Sequence, residues 1–211
     1  MQKPKRYEQI LAAAFEVFAA KGFASSRLDD VAQRAGVAKG TIYLYFKDKD
    51  QLFRAVVRSL ILKRVHPMIG DTQDSAPELL RGLIARMYAN VVKNDKVRAI
   101  VRMLIAESAK FPQLADIYHR EIIVPGLKTV RALLQKGIAS GDFQRTGALE
   151  FPQILVGPAI LATLWRLLHG ERYRLDVDAY MQAHLEFVMA GLMRCPPGGK
   201  NPGASWGGQN R

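Results

Sequence analysis

Leu28-Asp29-Asp30-Val31-Ala32-Gln33-Arg34-Ala35-Gly36-Val37-Ala38-Lys39-Gly40-Thr41-Ile42-Tyr43-Leu44-Tyr45-Phe46 reads as two short helices joined by a tight turn. Helices that cross steeply need a small residue at the crossing, a turn residue tolerant of left-handed geometry, and apolar side chains between them. Ala32 is the small residue and Gly36, four later, supplies the turn. Val31, Ala35, Val37 and Ile42 face inward. The second helix then turns Lys39, Thr41, Tyr43, Leu44 and Tyr45 outward, as a helix entering the major groove does. Lys47 and Lys49 follow it, and Ser26 and Arg27 start the helix before it; these suit phosphates. The same spacing also suits an ordinary helical hairpin, in which Tyr43, Tyr45 and Phe46 are core.

Outward from this stretch the periodicity is helical nearly throughout. A first helix spans about Arg6–Lys21, with Ile10, Leu11, Ala14, Phe15 and Phe18 as its apolar stripe and Gly22 as its stop. Ser26 and Asp29 are spaced as a capping box for the second helix. Asp48, with Gln51 three residues on, starts a fourth helix that stops near Pro67. A loop at His66–Pro77 is the expected domain boundary. Further helices are expected at Glu78–Val92, Val97–Lys110, Gln113–Ser140 with a kink at Pro125-Gly126, from Thr146 to His169, and from Asp176 to about Arg194. Residues 196–211 hold five Gly and three Pro, the composition of a disordered tail. The expected architecture is all-α with about nine helices: a three-helix DNA-binding domain at 1–50, a helical domain at 51–195, and the tail at 196–211.

The formal charge is +12, which favours an anionic partner, nucleic acid or an acidic membrane surface. The excess is concentrated: residues 1–65 hold 13 Lys/Arg against 6 Asp/Glu, the rest 18 against 13. The single cysteine, Cys195, excludes an internal disulfide and fits a reducing, cytoplasmic setting. The most apolar window, Phe151 to Leu168, is interrupted by Pro152, Pro158 and Arg166, so no membrane span is expected. His66, His119, His169 and His184 are scattered without zinc spacing. Gly198-Gly199-Lys200-Asn201 lacks the hydroxyl residue of a phosphate loop. No catalytic residue, metal site or cofactor is expected.

Residues 6–53 resemble the DNA-binding domain of the TetR/AcrR family of bacterial transcriptional regulators. The resemblance rests on Ile10-Leu11-Ala12-Ala13-Ala14-Phe15-Glu16-Val17-Phe18, Lys21-Gly22-Phe23, Leu28-Asp29-Asp30-Val31-Ala32, Ala35-Gly36-Val37, Lys39-Gly40-Thr41-Ile42-Tyr43, Tyr45-Phe46 and Lys49-Asp50-Gln51-Leu52-Phe53. It covers about a quarter of the chain. It implies a homodimer that occupies a palindromic double-stranded operator as a repressor and leaves it when a small, largely hydrophobic effector binds. It implies DNA contacts at Lys39, Gly40, Thr41, Tyr43, Leu44, Tyr45 and Lys49. Of these, Tyr43 and Lys49 would meet phosphate, and Lys39, Thr41 and Tyr45 would meet bases. A basic arm at Lys3, Lys5 and Arg6 would add contacts. Arg27 stands where the family often has a small hydroxyl residue. The last two long helices would form the dimer interface. The effector would lie among helices four to eight, against Met103, Leu104, Glu107, Tyr118, Ile122, Leu161 and Trp165, each of which also suits a packed core. Arg98 or Arg102 is an alternative partner for Glu107. A constitutive or activating DNA binder with no effector is the rival reading.

Overall fold

The computed structural model describes residues 3–62 and 74–193. Among these, the regular structure is helical, apart from one isolated bridge between Phe143 and Met193. The first helix, α1 (Lys3–Ser25), breaks at Gly22, whose φ of +74° lies in the left-handed region. Lys3, Lys5 and Arg6, expected as an arm, thus belong to a helix. Helices α2 (Leu28–Ala35) and α3 (Lys39–Tyr45) follow. Gly36 joins them at φ +62°, ψ +37°, and its N–H reaches back to the carbonyls of Ala32 and Gln33. A β-carbon is strained in that conformation, so glycine is the residue that fits.

Helix α4 (Lys49–Val57) is capped by Asp48, which accepts from Gln51 N at 2.7 Å, and widens into a π turn at Arg58–Leu62. Its expected end near Pro67 lies outside the described residues, as do Cys195 and the 196–211 tail. Helix α5 (Ala76–Met87, then a π turn Tyr88–Val92) starts two residues before the expected Glu78. Ser75 is its cap and Glu78 accepts from Ser75 N at 3.0 Å, a capping box that moves the start of the helix ahead of Glu78. Helix α6 is Asp95–Glu107.

Helix α7 is continuous over residues 112–140: Pro112–Tyr118, a π turn His119–Ile123, then Val124–Ser140. The π turn sits directly before Pro125, where proline removes a helical donor and crowds the preceding turn, so the irregularity falls one turn ahead of the expected kink. The helix expected from Thr146 begins instead at Gly157. Residues Gly147–Leu149 and Pro152–Leu155 form two short 3-10 turns, because Pro152 and Pro158 interrupt the α ladder. Helices α8 (Gly157–His169) and α9 (Val177–Leu192, capped by Asp176) are the last among the described residues.

The apolar stripes close two cores. One gathers α1–α4 around Phe18, Phe23, Ile42 and Phe53, and extends into α6 through Val97, Ile100 and Met103 and into α7 through Leu114 and Ile117. The other packs α5, the second half of α7, α8 and α9 around Tyr88, Leu133, Ala162 and Leu185. Helix α6 therefore belongs to the core of the N-terminal helices, and it also touches the π turn of α5 and helix α8.

Candidate nucleic-acid interface and effector cavity

The turn at Gly36 and the buried Val31, Ala35 and Ile42 hold α3 across α2. Lys39, Gly40, Tyr43 and Leu44 share the exposed face of α3, and Leu44 is 84% exposed. An apolar side chain presented so fully to water at the centre of a polar surface suits contact with an apolar group such as a thymine methyl. Thr41 and Tyr45 lie on the flank, half-buried. The Tyr45 ring packs against Tyr7 of α1 at 5.9 Å between centroids. Lys39 is bonded to Asp29 of α2 at 2.8 Å, which raises its pKa above the ordinary lysine value.

The residues expected on phosphate divide. Arg27 and Lys47 are exposed at the ends of the motif. Arg27, and not Ser26, is the N-cap position of α2; its main-chain N–H is taken by Asp30 at 2.9 Å. Ser26 is buried, and its hydroxyl donates to the carbonyl of Gly22 and, at 3.5 Å, to that of Val17. Lys49 turns inward: Nζ donates to the carbonyls of Phe23 at 2.6 Å and Ser26 at 3.0 Å and stands 4.3 Å over the Phe23 ring. Burial lowers its pKa below the usual lysine value. Both side chains fasten the turn between α1 and α2, a role that sequence spacing does not reveal because their partners are main-chain atoms.

Behind the motif, α5, α6, α7 and α8 line a partly open apolar cavity of about 330 Å³, at whose mouth Ile105 and Ile160 are exposed. Leu104 and Ile105 of α6 with its C-cap Ser108, Tyr118 and Ile123 of α7, and Ile160, Thr163 and Leu164 of α8 line it. Burial pushes the Tyr118 phenol above its ordinary pKa, so it stays a neutral hydroxyl. Of the residues expected against an effector, Leu104 and Tyr118 line this cavity. The other five stand elsewhere, each one residue from a lining position. Met103 is in the first core, Ile122 packs on it, and Leu161 is exposed. Trp165 is 40% exposed, and its indole donates to Tyr173 O at 2.8 Å. Glu107 accepts from Phe23 N at 2.9 Å and Ala24 N at 2.7 Å. Of the two arginines expected as alternative partners for Glu107, Arg98 or Arg102, Arg98 pairs with Asp95. One residue along a helix is a rotation of about 100°, enough to move a side chain from one face to the next.

Large apolar side chains also remain uncovered on α8 and α9: Leu161, Leu168 at 77% exposure and Phe187 at 76%. Among the described residues no helix is long and apolar enough to cross a membrane.

The comparisons with known proteins agree with this geometry. A family model described as bacterial regulatory proteins, tetR family, matches residues 10–56, and one described as AefR-like transcriptional repressor, C-terminal domain, matches residues 79–148. The fatty acid metabolism regulator protein of Bacillus subtilis (strain 168) is 27% identical over 194 residues, 90% of this chain and 97% of its own length. The uncharacterized regulator YfiR of the same organism is 39% identical over 153 residues, 67% of this chain and 70% of its own. Among solved structures, the regulator FadR from Bacillus subtilis in complex with stearoyl-CoA superposes with a TM-score of 0.68 at 25% identity, over 88% of this chain and 98% of that one. With the helix-turn-helix at the matched N-terminal residues and YfiR this similar over most of both chains, the protein belongs to the tetR family of bacterial regulatory proteins and is a DNA-binding transcriptional regulator.

Proposed function

We propose that this protein is a cytoplasmic, non-enzymatic repressor that binds a palindromic operator as a homodimer and is released by a largely apolar effector. Residues 1–50 read DNA, and 51–195 sense the effector and dimerise. The observation that carries this reading is the cavity beneath α6, a helix whose other face is built into the core of the DNA-reading helices. On α3, Lys39, Gly40, Tyr43 and Leu44 face the bases, with Thr41 and Tyr45 at the flank and Arg27 and Lys47 on phosphate. The exposed faces of α8 and α9 pair about a twofold axis and set two α3 helices about one DNA turn, ~34 Å, apart.

Long-chain acyl thioesters are the first effectors to try. The lining is mostly apolar, and a relative of similar fold is solved with stearoyl-CoA. A cavity of about 330 Å³ sits at the small end of ligand pockets, roughly 300–1,000 Å³. A long chain therefore either pushes α6 and α8 apart or extends past the open side. The ligand must bind the DNA-incompetent arrangement more tightly than the competent one, or nothing shifts. Selection of bound sequences from a random DNA pool, followed by titration of the complex with decanoyl- to stearoyl-CoA, tests the reading. A palindrome released by the longer chains is expected. Full occupancy of the DNA at saturating acyl-CoA of every length contradicts acyl thioester control.

A further inference from the structure

The segment between α1 and α2 hangs between two helices of different origin. Gly22 ends the regular part of α1 in the left-handed region, and this leaves the N–H groups of Phe23 and Ala24 pointing away from the helix ladder. Both are taken by one carboxylate, Glu107 at the last turn of α6: Oε1 from Phe23, Oε2 from Ala24. A β-carbon on Gly22 would collide with Glu107 Oε1, so the glycine also provides the notch that admits the carboxylate. On the carbonyl side of the same segment, Lys49 of α4 holds Phe23 and Ser26, and the Phe23 ring meets Phe111, just beyond α6, at 5.8 Å. A second link, Glu121 of α7 with Arg54 and Arg58 of α4 at 3.4 Å each, is a partly exposed ion pair of the kind that contributes little. The Glu107 bonds are charge-assisted and made to fixed main-chain donors, which gives them direction.

We propose that Glu107 is a positioning residue for DNA recognition: its carboxylate sets the pose of α2 and α3 by holding the α1–α2 junction against α6. The residue after it, Ser108, lines the cavity. A rotation or shift of α6 that makes room for a ligand therefore withdraws the carboxylate from Phe23 and Ala24. This last step rests on the cavity being the effector site; the positioning role does not.

The test uses the full chain and its selected operator without any ligand. Glu107→Gln replaces one accepting oxygen by a donor that faces an N–H. In this variant the amides of Phe23 and Ala24 are expected to exchange at least tenfold faster while the rest of the chain keeps its protection. Operator affinity is expected to fall at least tenfold, and the penalty for changing the half-site spacing by one base pair is expected to shrink. That relaxed spacing is what a merely structural role would not produce. Glu107→Asp, one methylene short, is expected to shift the same readouts in the same direction by less, and decides the matter should the Gln variant not fold. Wild-type amide protection and affinity in both variants, or an affinity loss equal on both spacings, overturns the proposal. Stearoyl-CoA is then added to wild type. If it fails to release the operator, acyl thioester control falls while the DNA-only result stands. If it releases the operator with Phe23 and Ala24 still protected, the effector acts by a route other than Glu107, and the withdrawal step is overturned.

Discussion

At the scale of single residues, charges near α3 are already engaged in the free protein. Lys39 is bonded to Asp29 at 2.8 Å; in the proposed complex it must leave that carboxylate to reach a base edge, and Asp29 would oppose the phosphates. Asp29→Asn is expected to tighten DNA binding several-fold at low salt, with the gain disappearing at high salt as the charges are screened. Titrations of operator fluorescence at two ionic strengths check this; unchanged affinity at low salt refutes it. Lys49 gives the opposite kind of variant. Its ammonium is spent on main-chain carbonyls, so Lys49→Met is expected to cost about 1–2 kcal/mol of stability, discounted for partial exposure. The slope of log affinity against log salt should stay that of wild type. A slope shallower by about one unit would instead place Lys49 on a phosphate. The sequence made the lysine visible but not its partners, since carbonyls carry no residue identity.

At the scale of elements, the motif was legible because it is local. The Ala32-to-Gly36 spacing, the Asp48 and Asp176 caps and the buried Val31, Ala35 and Ile42 lie within a few residues of what they touch. The effector wall was not local. Periodicity located α6, α7 and α8, yet it could not say which apolar face of α6 meets the cavity, because Ile100 and Met103 serve the DNA-side core, Ile105 lines the cavity, and Leu104 does both. The Thr146–Val156 segment misled for a similar reason: its apolar residues follow a helical spacing that Pro152 and Pro158 do not allow. The uncovered face of α8 and α9 belongs to this scale too. Phe187 is 76% exposed, so Phe187→Glu leaves the single chain's packing intact but places a charge in the expected interface. Ultracentrifugation should find wild type as a dimer at micromolar concentration and the variant as a folded monomer; a monomeric wild type contradicts the dimer.

At the scale of the whole molecule, α6 carries the first core against α5 and α8 of the second, and the second core packs around a titratable group. His184 of α9 is buried, its Nδ1 is 3.1 Å from the Tyr88 hydroxyl of α5, and burial holds its pKa below the usual imidazole value. The folded chain therefore binds fewer protons here than the unfolded chain once pH falls below about 6.5. Stability should decline through that range and on toward the lower folded value. His184→Gln, which retains an acceptor for Tyr88, should flatten the decline between pH 7 and 5 in denaturant titrations; an identical slope in both proteins refutes the assignment. The larger claim is that cavity and DNA surface are coupled through α6, and linkage makes it measurable from either side. The decisive measurement is the affinity of stearoyl-CoA for the protein alone and for the protein saturated with operator. The account predicts weaker binding to the complex, by the same factor that stearoyl-CoA weakens operator binding; a hundredfold factor corresponds to about 2.7 kcal/mol. Equal affinity for stearoyl-CoA with and without operator would contradict it.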